Sequence, residues 1–249
     1  MRRLIELSLP LAVVAVLAAG PIFAEAPAGQ GKIRVLLTTG GHGFEVEPFY
    51  AAFDAMPDVQ YTEADLPKDA GLLKPGLEKE YDCLVMYDMV GAITPDQQKA
   101  FVELLETGIG VVSLHHNLGA HRDWDEFRKI IGGKFILADC EIDGKPFKQT
   151  PWSHDEDLKI TVVDKEHPIT KGVADFEIHD ETYGTYYTAP EIHVLLKTDH
   201  PKNNPELAWT TSYGKSRVFY LMLGHDGKAY ANPNFSKLVN QGIRWAVGR

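Results

Sequence analysis

The sequence has little cysteine and little clustered positive charge. Its only cysteines are Cys83 and Cys140, and neither stands in a CxxC pair or at a strand-to-helix turn, which weakens any thiol mechanism. Export would allow a disulfide to form between them. A cysteine in an apolar strand, such as Cys83, more often acts as a small hydrophobic residue. The net charge is −10 and Lys and Arg form no dense run, so we expect no nucleic-acid partner.

Local cofactor signatures are missing as well. The turn Gly40-Gly41-His42-Gly43 follows an apolar strand, but it matches neither GxGxxG nor a Walker loop and is a weak phosphate signal. The candidate histidines and acids show no HExxH spacing or similar local metal motif. His42 is either a pocket-lining residue, which we assign to substrate binding, or an ordinary polar loop residue.

An apolar run stands near the N-terminus. Two arginines precede the run 9–19 and small residues follow near position 24, which is the order of a secretory signal. The run is too short to span a bilayer comfortably, although an uncleaved anchor is the alternative. We predict a signal peptide at 1–24, a linker at 25–31 and one domain at 32–249. The protein would be exported to the periplasm or the extracellular space, with no stable membrane insertion after cleavage.

Alternating strand and helix patterns predict the fold class. Short apolar runs such as Ile33–Leu37 and Tyr81–Tyr87 are typical of buried parallel strands, with amphipathic helices between them. Thr94-Pro95 has the cap and first-turn residues of a helix. Beyond residue 124 the pattern loosens into shorter strands, one of them over 158–163, before a closing helix that starts at Asn232. We predict an α/β fold, with a doubly wound, mostly parallel sheet and helices on both faces.

The segment VVSLHHNLGAHR, residues 111–122, gives the strongest site signal. An apolar run stops there at His115 and His116, and ligands of open α/β sheets bind beyond the carboxyl ends of the strands. In extended geometry the two histidines would face opposite sides, so we predict that His115 is functional and His116 is structural. Asn117 is a candidate substrate-binding residue. The alternative for His115 is a core histidine hydrogen-bonded to a backbone carbonyl.

Other predicted strands also end in polar residues. Histidines and carboxylates brought together by folding suit a general acid–base pair or a divalent metal ion. We predict that the catalytic residues are His115, Asp180, Glu181 and His225, with substrate binding by Tyr183 and Trp152. If a metal is bound, its candidate ligands are His115, Glu181 and His225. The alternatives are that Asp180 and Glu181 cap turns and that Trp152 is a packing residue. We expect His154 to be a loop histidine.

Five segments together resemble the trehalose-utilisation, ThuA-like family. They are GIGVVSLHHN at 108–117, HPITKG at 167–172, DETYGTY at 180–186, RVFYLMLGHD at 217–226 and GIRWA at 242–246. The resemblance implies a flavodoxin-like fold of the class I glutamine amidotransferase-like superfamily and a role linked to carbohydrates. Amidotransferases of that superfamily carry a nucleophilic cysteine at the turn where this chain has His115 and His116, so glutamine amidotransfer is not expected.

These signals favour an exported enzyme of carbohydrate metabolism. Its substrate would be a small sugar or keto-sugar derivative, and hydrolysis, isomerisation or elimination would each suit histidine and carboxylate side chains. The alternative is a non-catalytic carbohydrate-binding or partner-docking domain. Several titrating residues at predicted strand ends favour the enzyme, because a binding module needs aromatic residues and few titrating groups. A homo-oligomer is compatible with the sequence.

Overall fold

The computed structural model describes residues 31–249, so the predicted signal peptide and all but the last residue of the predicted linker lie outside the described residues. The strands are β1 Ile33–Thr39, β2 Val59–Asp65, β3 Cys83–Met86, β4 Gly110–Leu114, β5 Gly133–Lys134, β6 Cys140–Ile142, β7 Lys145–Phe147, β8 Trp152–Val162, β9 Phe176–Tyr183, β10 Tyr187–Thr188, β11 His193–Thr198, β12 Glu206–Tyr213 and β13 Ser216–Leu221. The α-helices are α1 Val46–Asp54, α2 Leu77–Glu80, α3 Pro95–Leu105, α4 Asp125–Ile131, α5 Gly227–Tyr230 and α6 Pro233–Ala246.

Nine strands form one mixed sheet in the order β2-β1-β3-β4-β13-β12-β11-β8-β9. The first five strands in this order run parallel to one another, whereas the pairs from β13 to β9 are antiparallel. The α/β class is confirmed, but the expectation of a mostly parallel sheet describes only one half. The other half is built from direct strand pairing, such as the tight turn between β12 and β13, and short turns can join only antiparallel strands.

The parallel half is buried as its sequence predicts. Every residue of β3 and β4 is buried, because a sheet covered on both faces needs apolar side chains pointing both ways. Helix α6 packs against β3, β4 and β13. Its buried face consists of Phe235, Leu238, Val239, Gly242, Ile243 and Ala246, whereas Trp245, which its sequence position places in the apolar stripe, is only half-buried beneath the Arg217 guanidinium.

Local helix signals also agree with the structure. Helix α3 begins after Thr94, whose hydroxyl accepts a hydrogen bond from the Gln97 backbone N–H. The Gln97 side chain in turn accepts from the Thr94 backbone N–H, which completes a capping box. Helix α6 begins after Asn232, whose side chain accepts from the Asn234 backbone N–H.

Glycines allow the turns at the carboxyl edge of the sheet to pack closely. Gly41 has φ 75°, and a Cβ atom there would lie 2.5 Å from the Met89 carbonyl oxygen. Gly224 has φ 112°, and its Cβ would lie 2.4 Å from the Phe235 ring. Only glycine adopts such backbone conformations without strain. Gly41 and Gly224 therefore fix the turns that contain the neighbouring residues His42 and His225.

The two cysteines are separate thiols. Cys83 is fully buried in β3, and burial raises the pKa of its thiol well above the ordinary value. Cys140 is exposed in the hairpin formed by β6 and β7. A buried thiol that resists ionisation acts as a small hydrophobic side chain.

Residues 31–249 contain no helix that is both long enough and apolar enough to cross a membrane.

Candidate functional site

The turn after β4 departs from strand geometry at its first residue. Leu114 is the last extended residue, His115 adopts a left-handed conformation with φ 47°, and a 3-10 helix covers His115–Gly119. The expectation that His115 and His116 face opposite sides requires extended backbone, so it does not apply to this pair. Both side chains are buried, and their ring centroids lie 5.5 Å apart.

His115 connects three elements of the site. Its Nδ1 lies 2.5 Å from the Met222 carbonyl oxygen, which can only accept, so Nδ1 carries the hydrogen. Its Nε2 lies 3.0 Å from Oε2 of Glu181 and 2.9 Å from the Tyr183 hydroxyl. Nδ1 of His225 is 3.3 Å from the same Nε2 atom. The ring is therefore fixed, with Nε2 directed at a carboxylate, a phenol and a second imidazole.

Glu181 and His225 form a hydrogen-bonded pair. Nδ1 of His225 lies 3.1 Å from Oε2 of Glu181. Burial works to raise the pKa of Glu181, but the hydrogen bonds and charges of His115 and His225 outweigh burial and hold this pKa well below its ordinary value. Burial works to lower the pKa of His225, but Glu181 raises it overall. Each partner thus favours the charged form of the other.

Asp180 has a different environment from its neighbour Glu181. Its carboxylate accepts hydrogen bonds from the backbone N–H groups of Gly224 at 2.7 Å, His225 at 3.0 Å and Glu181 at 2.8 Å. Burial raises its pKa, against the opposing effects of the His115 charge and these hydrogen bonds. Asp180 is not among the residues that line the cavity described below, and its hydrogen bonds tie the turn after β13 to β9. This contact is a positioning role, and the catalytic role of Asp180 stays a prediction.

Asn117 also lies away from the cavity lining. Its amide donates to the Asp88 carbonyl oxygen at 2.8 Å and its side-chain oxygen accepts from the Ser113 hydroxyl at 2.6 Å. The side chain is fully buried. A residue with both polar ends paired inside the protein holds the turn after β4 in place, which is a structural role. The predicted substrate contact by Asn117 stays a prediction.

A cavity of about 210 Å³ opens at the carboxyl edge of the sheet. It is lined by His42, Met89, His116, Phe135, Leu137, Trp152, His154, Glu181, Tyr183 and His225. Five of the predicted site residues, His42, Trp152, Glu181, Tyr183 and His225, thus share one cavity. His115 lies directly behind three of them. Trp152 is 60% exposed at its mouth and presents an aromatic surface to solvent.

His116 lines this cavity rather than a separate part of the core. Its Nε2 donates to the Tyr87 carbonyl oxygen at 2.8 Å, and its ring centroid lies 4.5 Å from that of His42, with the two rings tilted by 30°. Burial, followed by the charges of His115 and His42, lowers its pKa well below the ordinary value. His116 therefore presents a neutral ring with a hydrogen-bonded Nε2, which combines a structural contact with a place in the cavity wall.

The sequence interpretation missed His154, together with the apolar lining residues Met89, Phe135 and Leu137. His154 belongs to β8, which begins at Trp152, six residues earlier than predicted, and pairs with β9. Its Nε2 lies 3.3 Å from Oε1 of Glu181 and its ring packs 4.4 Å from that of His225. The β8–β9 pairing contains a bulge next to Asp155, which has φ 58°. The nearest sequence signal was Trp152, a predicted site residue two positions before His154.

A larger recess of about 500 Å³ lies at the amino ends of the parallel strands. Its lining includes Asp82 before β3, Ile109 before β4 and Lys215 before β13. No histidine lines it, and ligands of open α/β sheets bind at the opposite edge. The smaller cavity is therefore the better candidate site, because it combines a concave shape with converging titratable groups.

Solved structures with the same fold support this description. A putative ThuA-like protein from Parabacteroides merdae superposes with a TM-score of 0.70 at 22% identity, over 87% of this chain and 90% of that chain. Another from Bacteroides uniformis gives a TM-score of 0.65 at 19% identity, over 89% and 94%. A protein of Salmonella typhimurium described as cytoplasmic gives 0.60 at 12% identity, over 86% and 99%. At these identities the likeness concerns the fold alone.

The sequence itself gives the family. A comparison with curated proteins found no match. The sequence model of the ThuA family, described as trehalose utilisation, matches residues 34–246, which contain all of the residues that line the cavity. The chain therefore belongs to the ThuA trehalose-utilisation family.

Proposed function

We propose that this protein is an exported enzyme of carbohydrate metabolism that acts on a sugar or keto-sugar derivative by hydrolysis, isomerisation or elimination. Family membership supports the link to carbohydrates. The proposal for export rests on the N-terminal sequence and is checked by the mass of the mature chain. We also propose that the five parallel strands, in the order β2-β1-β3-β4-β13, form a flavodoxin-like, doubly wound unit, because this order corresponds to the flavodoxin pattern.

One observation carries the proposal of an enzyme. The side chains of His115, Glu181 and His225 converge within 3.3 Å of one another, behind and along the wall of a cavity at the carboxyl edge of the sheet. Such groups are costly to bury unless they are paired, and here their pairing directs them at a concave surface. A carbohydrate-binding module would not need this cluster.

The side chains suit proton transfer on a bound sugar. Each of the three reactions requires one group to accept a proton and another to donate one, within hydrogen-bond reach of the substrate. Glu181 and His225 line the same cavity 3.1 Å from each other, and His115 holds both from behind. Tyr183, whose hydroxyl is 2.9 Å from Nε2 of His115, adds a hydroxyl that can orient a sugar oxygen.

The size of the cavity limits the part of the substrate that it holds. Its volume of about 210 Å³ is below the roughly 300–1,000 Å³ of pockets for drug-sized ligands, which favours a single sugar ring. The remainder of a disaccharide would extend past Trp152, whose exposed face can stack on a sugar. His42 stands on the same rim and can contact the substrate hydroxyls.

The second candidate is a non-catalytic carbohydrate-binding domain, and the exposure of Trp152 favours it. The two functions separate in a screen of disaccharides and their keto derivatives that records both binding and turnover. For the enzyme we expect turnover, and Glu181→Gln should reduce it by about 100-fold or more with little change in secondary structure. Trp152→Ala should chiefly raise KM.

A surface histidine provides the matched control. His179 pairs with Asp157 and Asp155 outside the cavity lining, so His179→Ala should leave turnover unchanged. Sugar binding without turnover, or turnover unaffected by Glu181→Gln, would contradict the enzyme. Binding that is lost only in Trp152→Ala would then support the binding domain.

A further inference from the structure

We propose that His115, Glu181 and His225 are the ligands of one divalent transition-metal ion, of the Zn²⁺ or Fe²⁺ type. The three donor atoms are Nε2 of His115, Oε2 of Glu181 and Nδ1 of His225, and they form a nearly equilateral triangle with sides of 3.0, 3.1 and 3.3 Å. Among residues 31–249 this is the group of three histidine or acidic side chains whose donor atoms converge closely enough for one ion.

The dimensions of the triangle match one face of a coordination sphere. Zinc binds imidazole nitrogen and carboxylate oxygen at about 2.0–2.2 Å, which places neighbouring ligand atoms about 3.0–3.5 Å apart in octahedral or tetrahedral geometry. All three measured separations fall in that range. Two histidines and one carboxylate on a single face are a set that Zn²⁺ and Fe²⁺ sites use.

The hydrogen bond to Met222 prepares His115 to be a ligand. Because Nδ1 donates to that carbonyl oxygen, the neutral ring has its lone pair on Nε2, directed at Glu181. A lone pair 3.0 Å from a carboxylate oxygen is unfavourable unless a proton or a cation lies between them. The third donor atom, on His225, is at a similar distance from both, and an ion interacts with three such atoms at once whereas a proton bridges only two.

The surroundings fix the other two ligands and leave one side open. Asp180 accepts hydrogen bonds from the backbone N–H groups of both Glu181 and His225, and it thereby holds two ligands from behind. Oε1 of Glu181, which is not part of the triangle, lies 3.3 Å from Nε2 of His154. Glu181 and His225 line the cavity, so an ion held here would have a coordination position free for water or substrate, as catalytic sites do.

A second cluster of histidine and acids provides the control. His179 lies 3.2 Å from Asp155 and 2.7 Å from Asp157, but Nζ of Lys228 already lies 2.8 Å from Asp155. Both acids are largely exposed and in contact with solvent, and the lysine supplies a positive charge. This surface cluster should not bind a metal tightly.

The test is a calorimetric titration of the chelator-treated protein with Zn²⁺, repeated with Co²⁺ to record the visible absorption of a nitrogen-ligated ion. We expect one ion per chain. Substituting a residue that only contacts a metal ligand typically weakens metal binding by about 10- to 100-fold. His225→Ala removes a ligand and should weaken Zn²⁺ binding by more than that, and Glu181→Gln should weaken it too. His179→Ala should bind as the wild type does. Circular dichroism of each variant establishes that it is folded.

Two results would overturn the metal site: no Zn²⁺ or Co²⁺ uptake by the wild type, or uptake that His225→Ala and Glu181→Gln leave unchanged. In the first case the three side chains would form a hydrogen-bonded cluster that holds no ion. The titration contains no sugar, so its failure would leave the carbohydrate function standing. Conversely, uptake of one ion without turnover of any sugar would contradict only the function.

Discussion

Replacing Asp180 by Asn tests how the turn carrying His225 is held. In the wild type, Oδ1 accepts from the backbone N–H groups of Glu181 and His225, and Oδ2 accepts from that of Gly224. The asparagine oxygen can keep the first two hydrogen bonds, but its NH₂ group then meets the Gly224 N–H, donor against donor. Hydrogen bonds to a charged acceptor contribute about 1.5–3 kcal/mol each, neutral ones about 0.5–1.5 kcal/mol, and an unsatisfied buried donor costs about 1–3 kcal/mol.

The expected loss of stability follows from these contributions. Because Asp180 is buried, Asn avoids part of the cost of ionising a carboxyl there, which offsets some of the loss. We expect Asp180→Asn to lower the free energy of unfolding by about 2–4 kcal/mol. For a domain of this size that is a decrease in Tm of about 5–15 °C. Turnover should fall as well, since the turn that carries His225 loses its hydrogen bond at Gly224.

The same substitution at Asp226, the residue that directly follows His225, gives the control. Asp226 caps α5 by accepting from the backbone N–H groups of Lys228 and Ala229. Asn is as good a cap as Asp, so Asp226→Asn should change the free energy of unfolding by less than about 0.5 kcal/mol. Thermal melts of both variants compare the two sites. Equal Tm values for Asp180→Asn and Asp226→Asn would refute the positioning role of Asp180.

Three further substitutions test other parts of the fold. Gly41→Ala should cost at least about 2 kcal/mol, because of its positive φ and the contact with Met89, whereas Gly43→Ala, with open space around it, should be nearly neutral in urea denaturation. Thr94→Ala removes a capping box and should lower Tm by about 2–4 °C in a thermal melt. Burial raises the pKa of Asp88 to about 6, so the folded state binds this proton more tightly than the unfolded state does. The contribution of Asp88 to the free energy of unfolding therefore falls as the pH rises from about 4 to 6. Asp88→Asn removes that pH dependence. In urea denaturation, the free energy of unfolding of the variant minus that of the wild type should be up to about 3 kcal/mol more favourable at pH 8 than at pH 4. The same difference at both pH values would refute the buried ionisation.

Local signals in the sequence predict the parallel half of the fold well. Buried strands such as β3 are continuous apolar runs, and the Thr94 cap marks the start of α3, so each element depends mainly on its own residues. The antiparallel half depends on pairing between distant segments. The start of β8 at Trp152 is set by its partner β9 and by the bulge near Asp155, which no local pattern encodes.

The candidate site shows the same division. Strand ends predict that Glu181, Tyr183 and His225 share a cavity, because β9 and β13 run in the same direction and their carboxyl ends lie at the same edge of the sheet. The direction of each side chain is harder to predict, since His115 leaves strand geometry with φ 47° and Asp180 turns to three backbone N–H groups. His154 reaches Glu181 only through the β8–β9 pairing, so its sequence neighbours give little sign of it.

A crystal structure of the Glu181→Gln variant with a sugar that the wild type converts would test the central claim most directly. The account predicts one sugar ring in the cavity between His225 and Tyr183, with its reacting atoms about 3–3.5 Å from residue 181 or His225 and the rest of the substrate over Trp152. A sugar bound in the recess at the amino ends of the strands, beside Asp82 and Lys215, with this cavity free of it, would contradict the account.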